Sequence, residues 1–242
     1  LGSRKRPVRD ALIESEDRDG VRILRLSRPP VNALNLALAL AIRESFAAAR
    51  GEDGCTGVVL TGSQGVFSAG LDTREVPAYG VDQRASMLRA INRTILEIYA
   101  LAKPVVAAIS GHALGGAFVL ALACDVRLAA RGPFKLGLTE AGAGIPFPAG
   151  PLAVVHAELA PAQIRTLALG SLTAGPESDA FAGIIDRVVE PAALIEAALD
   201  EVRRLAALPA YGRVKQQLRA GTTDELSRIV DLDREPLLSH WV

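Results

Sequence analysis

The chain predicts an α/β fold in which buried parallel strands alternate with helices and a helical tail closes the sequence. Three observations carry this. Short apolar runs such as GVVL (57–60) and VVAAI (105–109) have the length and branching of strands, and longer segments between them repeat their apolar residues with helical period. Near Pro191 the composition shifts, and the remaining residues are charged and helical in pattern.

In order along the chain, residues 11–16 and 21–26 flank Asp19-Gly20, a pair suited to a hairpin turn, and the second strand stops at Arg28-Pro29-Pro30. Residues 36–50, rich in Ala and Leu with Arg43 and Glu44 on the wetter face, read as a helix packed on the core. A strand follows at 56–61, then a Gly/Ser loop through Gly70, then a helix over 82–102 that must end before Lys103-Pro104. Residues 105–109 form a strand of the type buried on both faces, and a glycine turn at 111–116 leads into a helix at 117–123. Strands are expected at 126–129 and 134–136, and helices at 148–159 and 161–169. The boundary near Pro191 divides a core of residues 1–190 from a helical region of residues 191–242.

With 242 residues and half of them apolar, the chain can bury one large core. Lys and Arg number 27 against 27 Asp and Glu, and neither sign forms a block, which argues against a nucleic-acid groove or a polybasic membrane patch. No apolar run reaches the ~18 residues that a membrane span requires. Cys55 and Cys124 have no metal-ligand spacing and read as reduced thiols, which points to the cytoplasm. The basic start LGSRKRPVRD lacks the apolar stretch of a secretory signal and reads as an arm. His156 and His240 share no metal-ligand spacing, and no metal site is expected.

Two features carry chemistry. Glu140 and Asp125 are the only acids between residues 98 and 157, and a carboxylate isolated among Ala, Gly, Ile, Leu and Pro is poorly solvated, which raises its pKa and suits it to proton transfer near neutral pH. The loop GSQGVFSAGLD (62–72) and the turn GHALGG (111–116) both follow buried-type strands and bring bare backbone to a sheet's carboxyl edge. Either alone is explained by tight packing; together, two converging N–H donors would make an oxyanion hole. GHALGG lacks the G-x-G-x-x-G spacing of a dinucleotide site. Asp72 reads as a loop cap, Asp125 as a cap of the turn after its helix, His112 as a hydrogen-bonding residue, and Glu75 as the one further acid that could reach the site.

The ordered set PPVNALN, GVFSAGLD, KPVVAAISGHALGGAFVLALACD, LGLTEAGAGIP and FAGIIDRVVEP, spanning 29–191, resembles the crotonase (enoyl-CoA hydratase/isomerase) superfamily. That resemblance implies a spiral of ββα units followed by a C-terminal helical region for lid or trimer contacts, and a homotrimer or hexamer. It places the thioester oxygen on the N–H groups of Leu71 and Gly116, and the CoA moiety along Val31, Ala33, Ser68, Ala69, Gly70 and Asp72. Glu140 falls on the family's catalytic glutamate, and Thr139 before it, where the isomerases of the family often have Asn, joins the substrate-binding positions. Val119 stands where hydratases resemble one another in carrying a second glutamate. The segments are similar in detail to Δ3,Δ2-enoyl-CoA isomerases, which work with one glutamate. The reading implied is isomerisation of an acyl-CoA substrate without metal or redox cofactor. Hydration, thioester hydrolysis, decarboxylation and non-catalytic acyl-CoA binding are the alternatives.

Overall fold

The computed structural model describes residues 11–63, 65–238 and 241; the basic arm at 1–10 and His240 lie outside the described residues. Strands β1 (Ile13–Arg18) and β2 (Val21–Leu26) form the expected hairpin, and β2 pairs in parallel with β3 (Gly57–Thr61). The large sheet continues through β5 (Val105–Ile109), β7 (Val126–Ala130) and β9 (Arg187–Val189), giving the order β1-β2-β3-β5-β7-β9. A second, three-stranded parallel sheet is built from β4 (Gly65–Ser68), β6 (Gly111–Leu114) and β8 (Leu136–Gly137). Three passes of the chain, starting at β3, β5 and β7, therefore each lay one strand in the large sheet, one in the small sheet, and then a helix, while the first pass puts both β1 and β2 in the large sheet. This is the spiral of ββα units.

The small sheet corrects two sequence expectations. Residues 65–68, read as loop, and 111–114, read as turn, pair with each other as strands. Their Gly, Ser and His content argues for turns locally, but backbone pairing overrides propensity where two segments are pressed together. Gly111 permits that approach: a Cβ there would lie 2.0 Å from the Gly65 carbonyl carbon. The strand expected at 134–136 is shifted to Leu136–Gly137, and the helix expected at 161–169 is a single α-helical turn, α6 (Pro161–Gln163), that continues as π-helix over Ile164–Leu169.

The helices clothe the large sheet on both faces. On one side lie α1 (Leu36–Gly51), capped by Asn35 Oδ1 accepting from Leu38 N, α2 (Val81–Tyr99), α3 (Gly116–Leu122) and α5 (Ala149–Glu158), the last following the short helix α4 (Glu140–Ala143). Strand β5 alternates as a doubly buried strand must: Val105, Ala107 and Ile109 face that layer, while Val106 and Ala108 face the other. The second layer is α7 (Leu194–Ala206), whose Leu194, Ala198, Leu199 and Val202 cover Val59, Val106 and Leu128. Helix α8 (Tyr211–Asp231) returns to pack on α2 and α5. Among the described residues no helix is long and apolar enough to cross a membrane.

Asp125, expected to cap the turn after its helix, instead bridges β5 and α8. Its carboxylate accepts from Val105 N and from Lys215 Nζ, each at 2.8 Å, and pairs with Arg219 at 3.0 Å. The partners arrive on α8, some ninety residues on, so local sequence carries no trace of the cluster. Cys55 and Cys124 are buried free thiols, and burial pushes Cys124 up to about 12.

All three charges of this cluster are nearly out of water, with side chains 8% (Asp125), 7% (Lys215) and 12% (Arg219) exposed. Asp125→Ala leaves the buried Lys215 ammonium without its carboxylate, while Arg219 keeps Glu158 at 3.5 Å. The substitution should lower the unfolding free energy by about 3 kcal/mol or more in urea titrations. Glu16→Ala, which breaks a surface pair with Arg18, should change it by less than about 1 kcal/mol.

Candidate active site

Three successive strands of the small sheet end at one place. After β4 the chain runs through Ala69–Leu71, after β6 through Gly115 and Gly116, and after β8 through Thr139 and Glu140. Ligands in parallel α/β sheets gather at such carboxyl ends. The ends are stitched together by backbone bonds: Gly115 N donates to Gly137 O at 2.8 Å, Leu34 N to Gly70 O at 2.7 Å, and Asp72 N to Leu34 O at 2.9 Å.

This stitching aims two N–H groups. Because Gly70 O and Asp72 N both face residue 34, the alternation of an extended chain turns the Leu71 N–H the other way. Gly116 is the first residue of α3, where an N–H has no partner within its own helix. Among the described residues, neither N–H is a donor in any hydrogen bond. They are brought close by Gly70, at φ +82°, where an added Cβ would lie 2.3 Å from Leu114 O and 3.4 Å from Gly116 N.

The loop is braced from behind. Arg28 pairs with Asp72 at 2.8 Å and Glu75 at 2.7 Å, and donates to Ala33 O at 2.8 Å. Glu75 also accepts from Asn35 Nδ2 at 3.0 Å and Tyr79 OH at 2.6 Å. It does not line the pocket, so its carboxylate, committed to this brace, is no second acid at the site. Asp72 caps the turn by accepting from Arg74 N and Glu75 N.

Glu140 begins the four-residue helix α4 and is 8% exposed. Its Oε2 is buried with no hydrogen-bond partner. Burial pushes the carboxyl up to about 7, against the pull of the backbone amides of Glu140 and Thr139. A Cβ at Gly115 would lie 3.4 Å from Glu140 Oε1, so the carboxylate sits beside the turn that presents the Gly116 N–H.

A mostly apolar pocket of about 100 Å³ joins these groups. Glu140, Leu71, Gly116, Ala69 and Thr139 all line it, and Thr139 makes no capping bond through its side chain. Val31, Ala33, Ser68, Gly70 and Asp72 do not line it; they shape the loop behind it. Val31 is 40% exposed and its carbonyl accepts from Ala69 N, while Ser68 Oγ donates to Asn32 O and accepts from Gly70 N. His112 stays outside, with Nδ1 accepting from Lys135 N and its ring edge against Phe134.

Apart from Val119, the rest of the wall has no signal in the sequence that it borders this pocket. Ala39 and Ile42 of α1 and Ile91, Thr94 and Ile95 of α2 line the pocket, together with Val119, Leu120 and Trp241. Their helical stripes signal burial but not which cavity they face. Glu140 is the sole ionisable side chain among the described residues of the wall. The arrangement offers one proton carrier of near-neutral pKa, two unpartnered N–H donors, and an apolar volume beside them.

Residues 16–240 match the family model described as enoyl-CoA hydratase/isomerase. The chain is 30% identical to human mitochondrial enoyl-CoA delta isomerase 1, over 98% of this chain and 80% of that protein. It is 32% identical to the probable enoyl-CoA hydratase EchA17 of Mycobacterium tuberculosis, over 85% of this chain and 77% of that protein. Among solved structures, human mitochondrial delta3-delta2-enoyl-CoA isomerase superposes with a TM-score of 0.85 at 30% identity, covering 92% of this chain and 88% of that one.

The raised pKa has a cost in stability. The carboxyl titrates at 4.5 when solvated and at about 7 when folded, so between these values the unfolded chain ionises while the native one does not. Stability then falls as pH rises from about 4.5 to 7 and stays reduced above. Glu140→Gln removes this dependence. Chemical denaturation at pH 8 should find the variant more stable by up to roughly 3 kcal/mol, a gap that closes on acidification towards pH 5. An unchanged gap would show that the carboxyl titrates normally.

Proposed function

Because the chain belongs to the enoyl-CoA hydratase/isomerase family, we propose that it shifts the double bond of a Δ3-enoyl-CoA to the Δ2 position, with Glu140 as its single base. The observation that carries this is the presence of one ionisable group in the pocket wall, with Val119 in that wall as well. Hydration requires one group to activate water and another to deliver a proton. Isomerisation requires a single carboxylate that takes a proton and gives it back.

In this reading the thioester oxygen accepts from the N–H groups of Leu71 and Gly116. The Glu140 carboxylate removes a proton from C2, and the electron pair of that C–H bond spreads over a dienolate whose charge lies on the thioester oxygen. As the dienolate collapses, Glu140 returns the proton to C4, leaving the double bond between C2 and C3. Nothing is oxidised, and the step needs no metal or redox cofactor. Each N–H donor contributes about 3 kcal/mol towards the dienolate, and the base some ~100-fold or more in rate. The apolar wall would take the acyl tail and keep water from the dienolate. The family likeness also carries a trimeric or hexameric assembly, for which exposed Leu208, Val214 and Leu218 would supply an apolar face.

The test follows the ultraviolet absorbance of the conjugated thioester. Purified protein should raise it with a 3-enoyl-CoA and leave it unchanged with a 2-enoyl-CoA. Glu140→Gln should reduce the first rate by ~100-fold or more. Decay of the 2-enoyl signal would replace isomerisation with hydration.

Since the base works ionised, kcat/KM should rise through about pH 7 and level off above it. Gly70→Ala, which must displace Leu114 O or the loop itself, should cut kcat by about 100-fold with the protein still folded by circular dichroism.

A further inference from the structure

Trp241 is the sole tryptophan of the chain, and it is buried in the wall of the pocket that holds Glu140. Its indole N–H donates to Pro146 O at 3.2 Å, which fixes the ring against the stretch just after the glutamate. A buried polar latch a few residues upstream holds it there. Glu235 is 5% exposed; Oε2 accepts from Asn92 Nδ2 and Ala149 N, each at 2.8 Å, and Oε1 from Leu237 N at 3.0 Å. Asn92, 2% exposed, returns its Oδ1 to Gly150 N at 2.9 Å. One carboxylate thus joins α2, the start of α5 and Leu237, whose carbonyl in turn accepts from Trp241 N at 3.0 Å. Ion pairs from Arg89 to Asp233 and from Arg93 to Asp231 run along the same seam.

A carboxylate this deep persists only with its donors in place. Here those donors sit on the two helices that also line the pocket through Ile91, Ile95 and Pro151. The latch therefore ties the position of the indole to the pocket walls. Neither Trp241 nor Glu235 has a part in the proton transfer. Both bear on how much apolar volume lies beside it, because an indole held at both its ring and its backbone is a rigid wall.

We propose that Trp241, positioned by Glu235, sets the length of acyl tail that the pocket accepts. This rests on the reading of the pocket as an acyl-CoA site. Trp241 is the specificity determinant, and Glu235 is a positioning residue that acts through it.

Saturated acyl-CoA thioesters test this without turnover. The full chain is titrated with tails of increasing length, following Trp241 emission and, in parallel, calorimetric affinity. Affinity should tighten about fourfold with each methylene that enters the pocket, then stop, and emission should shift at the lengths that reach the indole. CoA alone should leave emission unchanged. Trp241→Ala, read by calorimetry, should move the limit to longer tails, and Trp241→Phe should move it by a smaller step if the alanine variant does not fold. Glu235→Ala should flatten the steps between neighbouring lengths near the limit. An unchanged limit in both Trp241 variants overturns the inference while leaving the acyl-CoA reading intact. Failure of the wild-type protein to bind any thioester overturns the reading itself.

Discussion

Leu71 and Gly116 can face one ligand atom only if the loop after β4 lies directly on the turn after β6, and Gly70 is where that contact is made. With φ at +82° and a Cβ position 2.3 Å from Leu114 O, the residue has no room for a side chain. Everything around it serves this approach. Leu34 takes the outward-facing groups on either side of Leu71, and Arg28 braces Asp72 and Glu75 beneath. The small sheet delivers the third component, Glu140, at the end of its last strand. A site made of backbone amides needs this rigidity because an N–H donor can be aimed only by aiming the chain that carries it.

Two carboxylates, Asp125 and Glu140, sit in the same apolar stretch and meet opposite fates. Asp125 is surrounded by Lys215, Arg219 and the Val105 amide, and its buried charge is matched. Glu140 keeps one oxygen without a partner and is pushed up to about 7. The unmatched group is the one positioned beside two free N–H donors and an apolar cavity. A partner for Glu140 would return its pKa to the ordinary carboxylate range and remove its use as a base at neutral pH. The fold tolerates the cost because the apolar layer between the large sheet and α1, α2, α3 and α5, which also supplies Leu34, Ile42, Ile95 and Val119 to the pocket wall, is packed without any help from that carboxyl.

The sequence by itself determined the alternation of strands and helices, because the doubly buried run at 105–109 and the amphipathic helices are written in local periodicity. It also singled out Glu140, since isolation among apolar residues is visible without coordinates of any kind, and it showed the two glycine-bearing segments as bare backbone at a carboxyl edge. Tertiary structure alone decided that 65–68 and 111–114 are strands, because a short Gly-rich segment becomes a strand only when a partner backbone is pressed against it. It decided that Glu75 belongs to a brace and Asp125 to an ion cluster, since their partners lie far away in the chain. It decided too that α1, α2 and Trp241 share one pocket. An apolar stripe records that a face is buried, whereas the cavity it borders depends on which distant elements pack opposite it.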